Sequence, residues 1–129
     1  MAAPKIEALD HLVLTVAEIE VTCEFYKRAL GFDVNSFGEG RKALTFGYQK
    51  INLHQGGRGV EPKAALPTPG SGDLCFLTNQ PIEEIQRHLE FVHVPVIEGP
   101  VERTGATGPI ISIYFRDPDG NLIEVANQL

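Results

Sequence analysis

Basic residues, cysteines and long apolar runs are all scarce in this chain of 129 residues. Eleven Lys and Arg stand against 17 Asp and Glu, for a net charge of -6 and a pI near 5.1. Nucleic acid and anionic membrane demand clustered cations, so neither is expected as a main partner, and a small molecule or a protein is the default. No apolar run approaches the roughly 20 residues that span a bilayer, and Met1-Ala2-Ala3-Pro4-Lys5 has no secretory h-region, which leads us to expect a soluble, cytoplasmic protein. There are two cysteines, Cys23 in a helical pattern and Cys75 in a strand pattern. Both have apolar neighbours, so they are expected to be buried free thiols rather than a disulfide.

What the chain does have is 43% hydrophobic residues, enough for one domain with a real core, built either as a single unit or as two small modules. Leu9 to Val16 reads as a strand. Ile19, Cys23, Tyr26 and Leu30 then recur at helical spacing, with Gly31 as a left-handed cap. Short strand patterns follow over Phe32 to Phe37, Lys42 to Tyr48 and Lys50 to Gln55. The stretch 57–70 is rich in Gly and Pro and has no period, so it reads as a linker or a loop lining a site.

The pattern then restarts. Asp73 to Thr78 reads as a strand, and Pro81 opens a helix with Glu83 and Glu84 at its positive end and Ile82, Ile85 and Leu89 on its buried face. Strands follow over Pro95 to Glu102, Ile110 to Arg116 and Asn121 to Ala126, the last two joined by the turn Asp117-Pro118-Asp119-Gly120. Both halves therefore read βαβββ, and the expected fold is α+β with two tandem modules, about 6–56 and 71–129.

His11 and His54 fall in the first and last strands of the first copy, and Glu124 in the last strand of the second, at places that look equivalent in the repeat. Two imidazoles and a carboxylate suit Zn, Ni, Mn, Fe or Co, and three protein ligands leave positions open for water or substrate. Glu124 sits among Leu122, Ile123, Val125 and Ala126, where a carboxylate without a partner is costly. Asp73 is a candidate ligand, a partner for a ligating imidazole or a general base, against a plain strand-start role. Arg103 and Thr104 are placed on a Gly-rich loop that could close on an anionic substrate, or else form a solvated hairpin tip. By alternation Ser112 and Tyr114 share a face, which makes Tyr114 either a cavity residue or a packing one. His88 and His93 read as surface residues.

Four segments carry a resemblance: Asp10-His11-Leu12, Phe25-Tyr26 with Leu30-Gly31-Phe32, Asn52-Leu53-His54, and Tyr114 to Glu124 through the Asp-Pro-Asp-Gly turn. On these the chain resembles the vicinal oxygen chelate superfamily, which takes in glyoxalases, bleomycin-resistance proteins and extradiol dioxygenases. Arg41 to Leu44, Glu61 to Ala65, Asp73 to Cys75 and Gly99 to Ala106 resemble in particular the subgroup of glyoxalase domain-containing protein 5.

The resemblance implies that each module forms a half-barrel and that modules pair across a homodimer around a divalent ion. His11 and His54 of one subunit would meet Glu124 of the other. The position that often holds a further His falls on or beside Asp73. The implied activity is that of a metal-dependent lyase or isomerase of the glyoxalase type, acting on a small oxygenated substrate, with Glu124 and Asp73 catalytic and Arg103, Thr104, Ser112 and Tyr114 binding substrate. Fe(II)-dependent ring cleavage and metal-free sequestration of a small molecule are the alternatives.

Overall fold

The computed structural model describes residues 2–129. In chain order the elements are β1 (His11–Val16), α1 (Ile19–Leu30), β2 (Asp33–Phe37), β3 (Arg41–Phe46), β4 (Gln49–Gln55), β5 (Asp73–Leu77), α2 (Ile82–Phe91), β6 (Glu98–Thr104), β7 (Pro109–Arg116) and β8 (Leu122–Gln128). They form two four-stranded sheets ordered β1-β4-β3-β2 and β5-β8-β7-β6. In each sheet the first strand pairs parallel with the last, and the remaining pairs are antiparallel. The fold is α+β, two tandem βαβββ modules.

Local chemistry sets the helix ends. Gly31 takes φ 66°, a left-handed conformation that suits glycine, and its N–H donates to the Lys27 carbonyl to close α1. Lys27 and Arg28 lie in that last turn, where the helix dipole favours cations. In α2, Pro81 occupies the N-cap and Glu83 and Glu84 the first turn.

The β6 strand departs from expectation. It begins at Glu98 rather than Pro95, and its pairing with β7 shifts register between Glu98 and Val101. Gly99 at φ 102° and Pro100 lie inside that shift, and proline supplies no N–H to the ladder. The strand therefore runs on to Thr104. Arg103 and Thr104 stand on a strand and not on the Gly-rich loop expected for them, and the hairpin proper is closed by the Gly105 N–H donating to the Gly108 carbonyl.

One core spans both modules. Leu14, Val16, Phe25, Tyr26, Leu44 and Ile51 from the first meet Ile82, Leu89, Ile113, Phe115, Ile123 and Val125 from the second. The Phe25 and Phe115 rings lie 6.1 Å apart across the join. Beside them the buried Tyr26 hydroxyl donates to Asp117 Oδ2 at 2.6 Å. Asp117 Oδ1 in turn accepts from the backbone N–H groups of Asp119 and Asn121. The Asp-Pro-Asp-Gly turn of the second module is thereby pinned to the helix of the first. Burial, then the Asp117 carboxylate, pushes the Tyr26 phenol well above its ordinary range, so it stays a donor.

Cys23 is buried as expected, but Cys75 is exposed, and both thiols are free. The reason is strand alternation: Leu74 and Phe76 pack against the core, which turns Asp73, Cys75 and Leu77 to the opposite face. No helix among the described residues is long and apolar enough to cross a membrane.

Candidate functional site

Glu124 lies in the middle of β8, opposite Cys75 on β5 and Tyr114 on β7, on the face of the second sheet turned away from the helices. It is half-buried, and the fully buried Ser112 donates to its Oε2 at 2.6 Å. A cavity of about 410 Å³ opens over it, bordered by Cys75, Arg103, Thr107, Tyr114 and Gln128 among others. Arg103 Nε donates to the Tyr114 hydroxyl at 3.1 Å, and its guanidinium lies 5.6 Å from the centre of that ring. A 2.5 Å ion pair with Glu98 fixes the same guanidinium from its other side.

The structure thus gathers Glu124, Tyr114, Arg103 and Thr104 around one cavity, with Ser112 buried against Glu124. It also adds a residue the sequence did not flag, the Cys75 thiol, which is pushed up to about 11 by burial and then by the neighbouring Glu124 carboxylate. Alternation along β5 could have revealed Cys75, because Leu74 and Phe76 leave it no place in the core. Asp73 is exposed at the start of β5, on the same face as Cys75.

His11 is the first residue of β1 and is exposed, with Nδ1 2.8 Å from Asp10 Oδ2. A carboxylate on Nδ1 leaves Nε2 as the nitrogen available to a ligand. His11 borders a small seam cavity together with Cys75, which also borders the Glu124 cavity.

His54 lies elsewhere. Its partner across the parallel ladder is Thr15, while the partner of His11 is Lys50, four positions earlier on β4. At a rise of roughly 3.3 Å per strand residue, the two histidines stand about 13 Å apart along the sheet, too far for both to bind one ion within a chain.

Ladder register also revises the repeat. Glu124 lies opposite Cys75, two residues into β5, and the residue opposite Val13, two residues into β1, is Asn52. Asn52 is therefore the counterpart of Glu124, and His54 is the counterpart of Ala126. Sequence spacing missed this by two residues because both places lie on the same face of the strand. Among the described residues, no three His, Cys, Asp or Glu side chains converge closely enough to hold a metal. His88 and His93 are exposed, as expected.

The site can be set against known proteins. Residues 8–125 match the family model described as the Glyoxalase/Bleomycin resistance protein/Dioxygenase superfamily. Virulence protein STM3117 of Salmonella typhimurium is 57% identical over 121 residues, 94% of this chain and 84% of the relative. The glyoxalase domain-containing protein RDO1 of Mycosarcoma maydis is 57% identical over 122 residues, 95% of this chain and 69% of its own length. The crystal structure of STM3117 superposes with a TM-score of 0.96, covering 98% of this chain and all of that one at 55% identity. Lactoylglutathione lyase from Agrobacterium tumefaciens, 22% identical with a TM-score of 0.73 over 95% of each chain, shares the fold. A match spanning nearly every element of both modules, together with relatives more than half identical, establishes that the chain belongs to the glyoxalase/bleomycin resistance/dioxygenase superfamily.

Proposed function

We propose that this chain is a divalent-metal-dependent lyase or isomerase of the glyoxalase type, working on a small oxygenated substrate in a homodimer. The observation that carries the reading is Glu124, a carboxylate on a half-buried strand, held by Ser112 and open to a cavity large enough for a small substrate. A charge so placed without a ligand is costly, and a metal ion is one partner that would offset the cost.

The donors fit an ion of the Mn, Fe, Ni or Zn kind if two chains contribute. Glu124 and Asp73 share a face of the second module, and His11, backed by Asp10, would come from the first module of the partner. The register separates His54 from His11, so we leave it out of this set. When bound, the ion would act as a Lewis acid toward neighbouring substrate oxygens.

The chain's own residues would do the rest. Arg103, held by Glu98 and Tyr114, would take an anionic or carbonyl group of the substrate, with Thr104 beside it at the cavity edge. The Tyr114 phenol is held above its usual range chiefly by burial, so it would remain a hydrogen-bond donor at neutral pH. Ser112 would fix the orientation of Glu124.

The test is metal titration of the wild type and of Glu124→Gln, each checked for dimerisation, followed by turnover of the methylglyoxal–thiol hemithioacetal with each metal. The amide should weaken metal binding and abolish turnover, since it replaces a charged donor with a neutral one. If metal binds equally to both proteins, the ligand set is wrong. If metal binds to neither while the dimer groove retains small molecules, the chain is a sequestering protein, and oxygen uptake with catechols under Fe(II) would instead mark a ring-cleaving enzyme.

A further inference from the structure

The cavity over Glu124 is polar at one end and apolar at the other, and strand register shows how. Glu124 stands in one row of the sheet with Cys75 and Tyr114. One step further along the same face come Leu77, Ala126 and Ser112, and one step beyond that come Gln128 and Ile110. At a rise of roughly 3.3 Å per residue, Leu77 lies about 7 Å and Ile110 about 13 Å from the Glu124 row. Cys75, Tyr114 and Glu124 border the cavity at one end, and Leu77, Ala106 and Ile110 border it at the other. Between them Ser112 and Ala126, paired across β7 and β8, are fully buried, and side chains this small end close to the sheet and leave the space above them open.

Arg103 joins the two ends. It lies opposite Ile110 on the β6–β7 ladder, yet its Nε donates to the Tyr114 hydroxyl, four residues along β7. Its methylene stem therefore runs along the cavity wall, and only the guanidinium is delivered to the polar end.

Two polar groups at the apolar end are already engaged. The Thr107 hydroxyl accepts from Gln128 Nε2 at 2.8 Å, and the Gly105 N–H donates to the Gly108 carbonyl at 2.8 Å. Gly105 is also held against Ile110, since a Cβ on it would come within 2.8 Å of both the Gly108 oxygen and Ile110 Cγ2. The 105–108 turn is thus a closed end wall. Leu77, 59% exposed and outside the core, stands at its side. A ligand that places its oxygens against Glu124, Tyr114 and Arg103 meets chiefly carbon along the rest of the cavity.

We propose that the substrate of this site is a vicinally oxygenated compound with an unbranched apolar tail, its oxygens at Glu124, Tyr114 and Arg103 and its tail passing Leu77 to end at Ile110 and the 105–108 turn. This assignment of the tail rests on Glu124 being the reacting end of the cavity.

The experiment uses the full chain as purified, freed of metal, with three unreactive diols as probes: 1,2-propanediol, 1,2-hexanediol and 1,6-hexanediol. Backbone amide and methyl shifts are followed by NMR. Saturable shifts at Leu77, Ile110 and Tyr114 are expected with 1,2-hexanediol, at a Kd about tenfold to fiftyfold below that of 1,2-propanediol, for three further buried methylenes. Its isomer 1,6-hexanediol should lose most of that gain, because the second hydroxyl falls among apolar groups. Leu77→Asn, at an exposed position, should weaken 1,2-hexanediol roughly tenfold and leave 1,2-propanediol unchanged. Equal affinity for the short and long 1,2-diols, equal affinity for the two hexanediols, no saturable shift at Leu77 and Ile110, or no effect of the variant would each overturn the proposal. No metal is present in any of these titrations. A missing tail preference while Glu124→Gln still weakens metal binding refutes the tail alone, and a tail preference while metal binds equally to wild type and Glu124→Gln refutes the metal set alone.

Discussion

Leu44 in the first module and Phe115 in the second occupy matching places, one opposite Ile51 and the other opposite Ile123, and all four side chains are essentially excluded from water. The opposite faces of the same strands share almost nothing. Where the second sheet carries Glu124 it has Ser112, Tyr114, Arg103 and an open cavity, and where the first sheet carries Asn52 it has His54, Lys63 and a small cavity under a loop. Strand alternation makes this division possible. Residues facing the helices must pack at close to crystal density, so they are held to apolar shapes, whereas the other face borders cavities and a covering loop and accommodates polar side chains such as Ser112, Asn52 and His54. A duplicated fold can in this way keep one core and carry two unlike faces.

The comparison is broken most severely at the shared core. Phe115→Ala removes a fully buried ring that touches Phe25 of the other module, and large-to-small changes of this kind cost about 3 to 5 kcal/mol. Urea unfolding followed by circular dichroism and by NMR signals from each module should show one transition moved to lower denaturant, with both modules lost together. Two separate transitions would mean that the modules fold independently and that the common core is a weak join.

A smaller effect is expected at the eighth residue of each helix, Tyr26 in α1 and Leu89 in α2, both inaccessible to solvent. The first carries a hydroxyl and the second does not, because only Tyr26 has Asp117 to donate to. Tyr26→Phe keeps the ring but leaves that carboxylate oxygen with Asn121 Nδ2 as its remaining partner, a loss of about 1 to 3 kcal/mol. Thermal unfolding of the variant beside the wild type measures it. A change within error would show that the bond between α1 and the turn is not what couples the two modules.

Much of this was readable in the residues. The helix over Ile19–Leu30 and its cap at Gly31 appeared at the right positions, because apolar spacing and a terminal glycine report local backbone directly. Pro81 and the paired Glu83 and Glu84 marked the start of α2 for the same reason. The start of β6 was not readable. It depends on a register shift around Gly99 and Pro100, and whether a proline breaks a ladder depends on which neighbour the strand pairs with. Cys75 was misplaced because a cysteine among apolar residues reads as buried until pairing fixes which face it takes.

For the site, Glu124, Ser112, Tyr114 and Arg103 could be found from alternation and side-chain chemistry, and the structure brings them together. The role of His54 could not be read. Moving two places along a strand preserves the face, so sequence alone could not separate His54 from Asn52 as the counterpart of Glu124. Only the ladder, which places Asn52 against Val13 and His54 against Thr15, distinguishes them.

The smallest expected effect tests that distinction through pH. His54 is held below the ordinary imidazole value of 6.5 by burial, then by Arg41 and Lys63, so the folded chain binds a proton less readily than the unfolded one. The contribution of this group is fully present above pH 6.5 and is lost as pH falls through the lower folded value. Wild type should therefore lose stability between neutral and mildly acidic pH more steeply than His54→Gln, compared as the difference in slope of unfolding free energy against pH. Identical slopes for the two proteins would place His54 in a solvated environment, and the first module would then have no chemistry of its own to set against Glu124.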